Sequence, residues 1–186
     1  MSSHASPTQT LPAASAPLRH ALSQFTTGIA IITTLSPEGT PVGITANSFS
    51  SVSLEPPLVL WSLSLRAASL NVFRHSDRYL IHVLAADQLE LAKRFATPGA
   101  DRFGPHSGTH WQPNPRGLPY LQGNLAWLEC THRSQYEEGD HVILVGHVEH
   151  FAATGGAPLA FHGGKYITHL TEKALPQALR SPWNAS

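Results

Sequence analysis

The chain of 186 residues contains a single cysteine, Cys130. One thiol excludes an internal disulfide and any zinc site built from several cysteines, so a reducing compartment is expected and the cytoplasm is the default location. The length predicts one domain with a sizeable hydrophobic core, which makes disulfides unnecessary for folding.

The chain also lacks an excess of positive or of negative side chains. Lysine plus arginine and aspartate plus glutamate number 12 each, and together they make up 13% of the chain. Without a strong positive field, neither a nucleic acid nor an anionic membrane is an expected partner. No apolar run approaches the roughly 20 residues of a spanning helix, and the N-terminus lacks the basic start and apolar core of a secretory signal.

Several common catalytic motifs are absent. The sequence has no Gly-x-Gly-x-x-Gly, no Gly-x-x-x-x-Gly-Lys and no Gly-x-Ser-x-Gly, which disfavours a Rossmann dehydrogenase and a serine hydrolase. His106 and His110 have the spacing of helical metal ligands but lie in loop sequence without nearby carboxylates, so we predict no metal site. Cys130, within a predicted strand, is interpreted as a buried inert thiol.

A run of small polar residues between two apolar strands is the most informative stretch that is present. Between Val42 and Leu60 the chain passes through hydroxyl side chains and the carboxamide of Asn47, then meets Pro56-Pro57, which cannot donate to a sheet ladder. Backbone N–H groups, hydroxyls and a carboxamide directed at one point suit a planar heterocycle that carries a phosphate. The same composition also fits a serine-rich loop that satisfies its own backbone.

Hydrophobic periodicity predicts a mainly β domain over residues 17–170, with loose tails at 1–16 and 171–186. Six or seven strands, mostly hairpin-linked, are expected at 29–35, 42–47, 58–63, 79–84, 125–136, 141–151 and around 161–170. The strand at 58–63 is continuously apolar and is expected to be covered on both faces. Closure into a barrel would remove the exposed strand edges.

Helices are predicted outside this sheet, at 17–25, 66–75 and 87–96. The last has the clearest pattern, because Asp87 can cap it, Glu90 can complete a capping box, and Leu91 and Phe95 share a face. The stretch 97–117 is rich in glycine and proline and is expected to be a long loop.

Five blocks of sequence follow one another in an order typical of one family. They are residues 45–49 with 51–58, residues 91–96 with 100–103, residues 125–130, Gly139-Asp140-His141, and residues 161–166. Over roughly residues 21–170 the chain thereby resembles the short-chain flavin reductases, the FMN-binding split-barrel oxidoreductases that feed two-component monooxygenases.

The resemblance implies an FMN-binding split β-barrel, an antiparallel Greek-key barrel with two or three peripheral helices. It implies that NADH or NADPH gives a hydride to FMN or FAD, and that a homodimer supplies reduced flavin to a partner flavin-dependent monooxygenase. Such a transfer needs no nucleophilic side chain, because the cofactors carry the chemistry and the protein supplies placement.

The resemblance also implies which residues bind the cofactors. His141 is expected to place the nicotinamide, and the flavin phosphate is expected near Arg66 and Ser69. Ala67 stands where relatives often have a hydroxyl, so the choice between FMN and FAD stays open. The other implied flavin contacts are Thr45, Ala46, Asn47 and Ser48 along the ring and ribityl chain, Ser51, Val52 and Ser53 on the other side, and Phe103 and Tyr166 near the rings.

Simpler explanations exist for several of these residues. Arg66 can be a solvated charge at a helix start, His141 an exposed turn residue, and Phe103 and Tyr166 ordinary packing residues. Two other functions also stay open: a flavin- or haem-binding barrel without enzymatic activity, and an interaction module that kept the barrel and lost the pocket.

Overall fold

The computed structural model describes residues 15–170. Of the tails predicted at 1–16 and 171–186, residues 1–14 and 171–186 lie outside the described residues, whereas Ser15 and Ala16 belong to the first helix. The α-helices of the described part are α1 (Ser15–Ser23), α2 (Leu70–His75) and α3 (Leu89–Ala96). The strands are β1 (Thr27–Gly28), β2 (Ala30–Leu35), β3 (Pro41–Ala46), β4 (Ser50–Leu54), β5 (Pro57–Ser64), β6 (Arg78–Val83), β7 (Trp111–Pro113), β8 (Pro119–Leu121), β9 (Ala126–Glu138), β10 (His141–Ala153), β11 (Ala160–His162) and β12 (Lys165–Ile167).

Seven strands form one antiparallel sheet in the order β3-β2-β6-β9-β10-β5-β4. Its centre is the long hairpin of β9 and β10, which turns at Gly139 with φ of +61°. Within residues 15–170, no hydrogen-bonded ladder joins the edge strands β3 and β4. The predicted antiparallel barrel with outer helices is therefore confirmed, but backbone hydrogen bonds do not close it.

The interior of the curved sheet is built around Trp61 of β5. Its ring meets Phe73 of α2 and Tyr79 of β6 edge-on, with centroids 5.0 and 5.8 Å apart, and all three side chains are fully buried. On β10, a Cβ atom at Gly146 would lie 2.3 Å from the Tyr79 hydroxyl oxygen. Side chains thus fill the barrel up to the backbone of the opposite wall.

A second hydrophobic cluster lies on the outer side of the sheet, under α3. Ile31, Phe95, Leu121 and Leu159 form its buried centre. Since Ile32 on the same strand faces the barrel interior, β2 is buried on both faces, which explains its continuous run of apolar and threonine side chains.

His82 of β6 connects three strands. Its Nδ1–H donates to the Ile31 carbonyl oxygen of β2 at 3.1 Å, and its Nε2 accepts from the Leu121 N–H of β8 at 3.2 Å. These two bonds require the neutral ring, and burial lowers the pKa of His82 to about 4 although the bond to Ile31 acts in the opposite direction.

The structure refines two interpretations of β4 and β5. Buried and half-buried residues alternate along β5, so within residues 15–170 one face is buried and the other, with Leu58 and Leu60, is partly covered. The serine-rich run before the double proline is not a loop but the strand β4, which pairs with β5 at the edge of the sheet. Apolar composition alone does not indicate how far other elements of residues 15–170 cover the outer face of β5.

The helix boundaries also differ from the prediction. The segment 66–69 precedes α2 and is not part of it. A 3-10 turn at Ala86–Gln88 precedes α3, and there the Gln88 Oε1 atom accepts from the Ala85 N–H at 3.1 Å, so Asp87 is not the cap of α3.

No helix within residues 15–170 is long and apolar enough to cross a membrane.

We predict that His82 makes stability depend on pH. The unfolded ring binds a proton below pH 6.5 and the folded ring only below about 4, so the free energy of unfolding falls as pH drops between these values, by roughly 3 kcal/mol in total. Urea unfolding across this range measures the loss. His82→Asn should abolish this part of the pH dependence, and the exposed control His75→Asn should keep it; equal slopes for wild type and His82→Asn would contradict the assignment.

Candidate functional site

A cavity of about 280 Å³ opens where β3 and β5 diverge. It lies at the split of the barrel, next to the start of the α2 segment and the β9–β10 turn. Its lining residues are Ile44, Thr45, Ala46, Asn47, Ser48, Trp61, Ser62, Leu63, Ser64, Ala67 and His141. The structure thus brings together five of the predicted site residues: Thr45, Ala46, Asn47, Ser48 and His141.

The hydroxyls of Thr45 and Ser48 are used within the fold. Thr45 Oγ1 donates to the Ala92 carbonyl oxygen of α3 at 2.7 Å, which holds β3 to the helix. Ser48 Oγ donates to the Ser62 carbonyl oxygen at 3.0 Å and accepts from the Ser62 N–H at 2.9 Å. This second pair replaces a ladder across the split, so these two residues offer a ligand mainly their backbone.

Asn47 is the polar side chain of the β3–β4 connection that remains open to a ligand. It is exposed and, within residues 15–170, its carboxamide makes no hydrogen bond in the structure. A carboxamide offers two donors and one acceptor oxygen in one plane, which suits the edge of a heterocycle.

His141 and Asp140 form a pair at the rim of the cavity. The His141 Nδ1 and Asp140 Oδ1 atoms are 2.6 Å apart, and this hydrogen bond lowers the pKa of Asp140 below its ordinary value. The carbonyl oxygen of Asp140 also accepts from the Leu65 N–H at 2.9 Å. The β9–β10 turn is thereby fixed beside the end of β5, which pairs with β10 at Ser64 and His141.

The segment predicted to hold a phosphate lies at the same end of the cavity. Ala67 lines it, whereas Arg66 is exposed and near Asp140, whose pKa it also helps to lower. Ser69 is the N-cap residue of α2 and makes no side-chain capping bond.

The remaining predicted residues lie outside this cavity. Ser51, Val52 and Ser53 are on the edge strand β4, where Ser51 and Val52 are exposed. The ring of Tyr166 packs edge-on against Phe161 with centroids 5.3 Å apart. Phe103 packs edge-on between Phe95 and Trp111, with centroids 5.2 and 5.5 Å away.

Sequence reasoning missed Ser62 and Ser64 of β5. They occupy alternate positions, separated by the inward-facing Leu63, and a period of two is the signal of a shared face. Leu63 and Trp61 complete the apolar side of the cavity. His106 and His110 are exposed in the loop after α3, and within residues 15–170 no three His, Cys, Asp or Glu side chains are grouped to hold a metal ion.

The chain matches the family of flavin reductase-like domains over residues 22–169. The FMN reductase (NADH) SmoA of Agrobacterium fabrum is 43% identical over 148 residues, which cover 80% of this chain and 82% of that protein. HsaB of Mycobacterium tuberculosis, the reductase subunit of a flavin-dependent monooxygenase, is 36% identical over 170 residues, or 90% of this chain and 89% of that protein.

Solved structures agree with this match. The NADH:FAD oxidoreductase SgcE6 of Streptomyces globisporus is 33% identical, with a TM-score of 0.79, and the match covers 90% of this chain and 100% of that chain. The same protein is known in complex with NAD and FAD fragments.

We predict that Gly43→Ala disturbs the wall between the cavity and α3. A Cβ atom at this position would lie 2.5 Å from Phe95 and 3.1 Å from Phe103, and Phe95 is fully buried. Overpacking should lower the free energy of unfolding by about 1–3 kcal/mol, measured by urea unfolding. In the control Gly28→Ala the new Cβ meets no atom within 4 Å; equal stability of the two variants would show that the rings move aside freely.

Proposed function

The chain belongs to the flavin reductase-like domain family, and we propose that it is an NAD(P)H:flavin oxidoreductase that transfers a hydride from the nicotinamide to FMN or FAD. The observation that carries this proposal is the cavity at the barrel split, where the open carboxamide of Asn47 and the Asp140–His141 pair lie on the same opening. Since the relatives are named as reductases, we favour the enzyme over a flavin or haem carrier and over a module without a pocket.

The residues of the cavity fit a flavin. Trp61, Leu63 and Ile44 form an apolar side for a planar ring, and Asn47 with neighbouring backbone groups supplies hydrogen bonds to its polar edge. When bound, the flavin supplies the hydride-accepting chemistry. A volume of about 280 Å³ is just below that of small-molecule sites, which begin at about 300 Å³, so we infer that the cavity holds the ring and that the tail extends beyond it.

We assign the placement of the nicotinamide to His141. Because Asp140 accepts from Nδ1–H, the neutral ring keeps Nε2 as the nitrogen available to a ligand. Asp140 is a positioning residue, since its contact is with the histidine.

The assignments of the other cofactor residues remain proposals with unequal support. Arg66 and Ser69 lie one and two residues from Ala67, which lines the cavity, so we propose that they receive a phosphate at the α2 end. Ser51, Val52 and Ser53 are proposed to border the outward part of the flavin from β4. Phe103 and Tyr166 have half-buried rings, so we give them packing as their first role and cover of the flavin as their second.

We propose that the reduced flavin passes to a flavin-dependent monooxygenase. Relatives of this chain are named as reductase components or subunits of such systems, which supports a two-component arrangement. We place this pair of enzymes in the cytoplasm, as the single cysteine favours a reducing compartment.

Two substitutions test the site. Asn47→Ala should raise the Michaelis constant for flavin about tenfold, because loss of a hydrogen bond at a ligand edge costs on the order of 1.4 kcal/mol. His141→Ala should raise the Michaelis constant for NADH and lower the turnover number. Both are followed by NADH oxidation with added FMN, FAD or riboflavin, and repeated with NADPH.

Matched controls come from α2, where Asn71 and His75 are exposed and do not line the cavity. Asn71→Ala and His75→Ala should behave like the wild type. If Asn47→Ala and His141→Ala do so too, the residue assignments fail, whereas wild-type protein that oxidises no NADH with any flavin would overturn the proposed function.

We further propose that the protein is a homodimer. Apolar side chains are left open on three elements: Leu18 and Leu22 of α1 are 60% and 66% exposed, Leu54 of β4 79% and Phe151 of β10 75%. Phe25, just after α1, is 78% exposed. Exposed large apolar side chains are candidates for an interaction surface, and in this proposal a second copy covers them together with the outer face of β5.

The double variant Leu22→Asp, Phe25→Asp should dissociate this dimer, because two carboxylates would be buried unpaired in the contact. Light scattering coupled to size exclusion measures the mass. The control Arg19→Asp, on the same helix, adds an acidic side chain and should stay dimeric if α1 contributes its apolar face. A monomeric wild type would exclude the proposal.

A further inference from the structure

Residues 15–170 form a second cavity, which is larger than the one at the barrel split. It has a volume of about 490 Å³ and lies on the outer side of the sheet, where the β7–β8 hairpin folds over β6 and β9. Leu80, Pro113, Pro115, Tyr120 and Trp127 form its apolar walls. The rings of Tyr120 and Trp127 are edge-on with centroids 6.0 Å apart, so the cavity has two aromatic surfaces for a planar ligand.

One end of this cavity is polar and contains the buried carboxylate of Glu129, which is 4% exposed. Its Oε1 accepts from Arg116 Nη1 at 2.5 Å and its Oε2 accepts from Asn114 Nδ2 at 2.9 Å. Arg78 Nη1 lies 3.8 Å from the same carboxylate. The negative charge of Glu129 is therefore compensated within the cluster and does not exclude an anion.

Donors remain open at this end. Arg116 uses Nη1 for Glu129 and Nη2 for His150 Nε2, 3.0 Å away, although a guanidinium has five N–H groups, and its side chain is 38% exposed. Since His150 Nε2 accepts, its Nδ1 carries the proton and is a further donor. The side chain of Glu149 is not among the lining residues of this cavity and bonds to His147 and Thr131 instead.

The two cavities lie far apart along β10. His141 borders the first and His150 the second, and nine residues of strand span about 30 Å. A flavin ring bound at the split would not fill the outer cavity of the same chain.

We propose that the outer cavity is a second small-molecule site, which binds an aromatic carboxylate. The ring lies against Tyr120 and Trp127, and the carboxylate receives the open N–H groups of Arg116 and the Nδ1–H of His150. A neutral aromatic molecule would leave these donors without an acceptor, and an aliphatic acid would lose the aromatic contacts. The proposal does not depend on the activity at the barrel split.

The test uses the full-length protein and 2-naphthoate as the probe. The Trp127 indole N–H makes no hydrogen bond within residues 15–170, so its resonance in a ¹H–¹⁵N spectrum reports ligand contact, and Trp127→Phe identifies it among the four tryptophans. We expect 2-naphthoate to shift this resonance saturably. Neutral 2-naphthamide and non-aromatic cyclohexanecarboxylate should each bind at least about tenfold more weakly than 2-naphthoate.

The variant Arg116→Met, Glu129→Gln tests the polar end by removing both charges of the pair, so Glu129 is not left buried without Arg116; Arg78, 37% exposed, keeps contact with solvent. It should weaken 2-naphthoate about tenfold, while the control Arg133→Met, Glu138→Gln removes the same charges from an exposed part of β9 and should bind like the wild type. Tyr120→Leu should also weaken binding, which provides an independent measure if the double variant fails to fold.

Three results would overturn the proposal: no shift of the Trp127 resonance with 2-naphthoate, equal affinity for the acid and the amide, or displacement of 2-naphthoate by FMN. The first, in a dimeric protein, would mean that a second chain fills the cavity. The third would place the probe at the barrel split. Unchanged naphthoate affinity in saturating FMN supports two separate sites.

Discussion

The gap between β3 and β5 is the constraint on which the rest of the structure depends. Within residues 15–170, no ladder joins β3 to β4 or to the end of β5 across this gap, so the backbone groups along it need other partners. The Ser48 hydroxyl bonds to both the backbone N–H and the carbonyl oxygen of Ser62, and so spans the gap at one point. Beyond that point lies the carboxamide of Asn47, which makes no hydrogen bond within residues 15–170. The cavity is thus a consequence of incomplete closure.

The outer layer keeps this gap in place. Thr45 bonds to α3, and Gly43 lets the aromatic rings of Phe95 and Phe103 lie directly against the β3 backbone. On the opposite side of the gap, Asp140 fixes the β9–β10 turn to Leu65. Both sides are therefore held by contacts outside the cavity, which leaves its inner surface for binding.

Much of this arrangement could be predicted from local sequence. The strand order along the chain, the β9–β10 hairpin and the proximity of residues 45–48 to His141 follow from periodicity and from the family resemblance. The direction of individual side chains could not be predicted, because the hydroxyls of Thr45 and Ser48 bond to α3 and β5 respectively. The partial exposure of the outer β5 face could not be predicted either, because it depends on which elements pack there. The cavity under the β7–β8 hairpin combines residues far apart in sequence, such as Leu80 and His150, and no local pattern indicates it.

Barrels that store small molecules leave their interior hollow. Here Trp61, Phe73 and Tyr79 fill the lumen, and Tyr79 reaches the bare backbone at Gly146. A ligand can therefore bind only in the wall of the barrel, with one side toward solvent. Binding and release then require no parting of strands, which suits the proposed transfer of reduced flavin to a second enzyme.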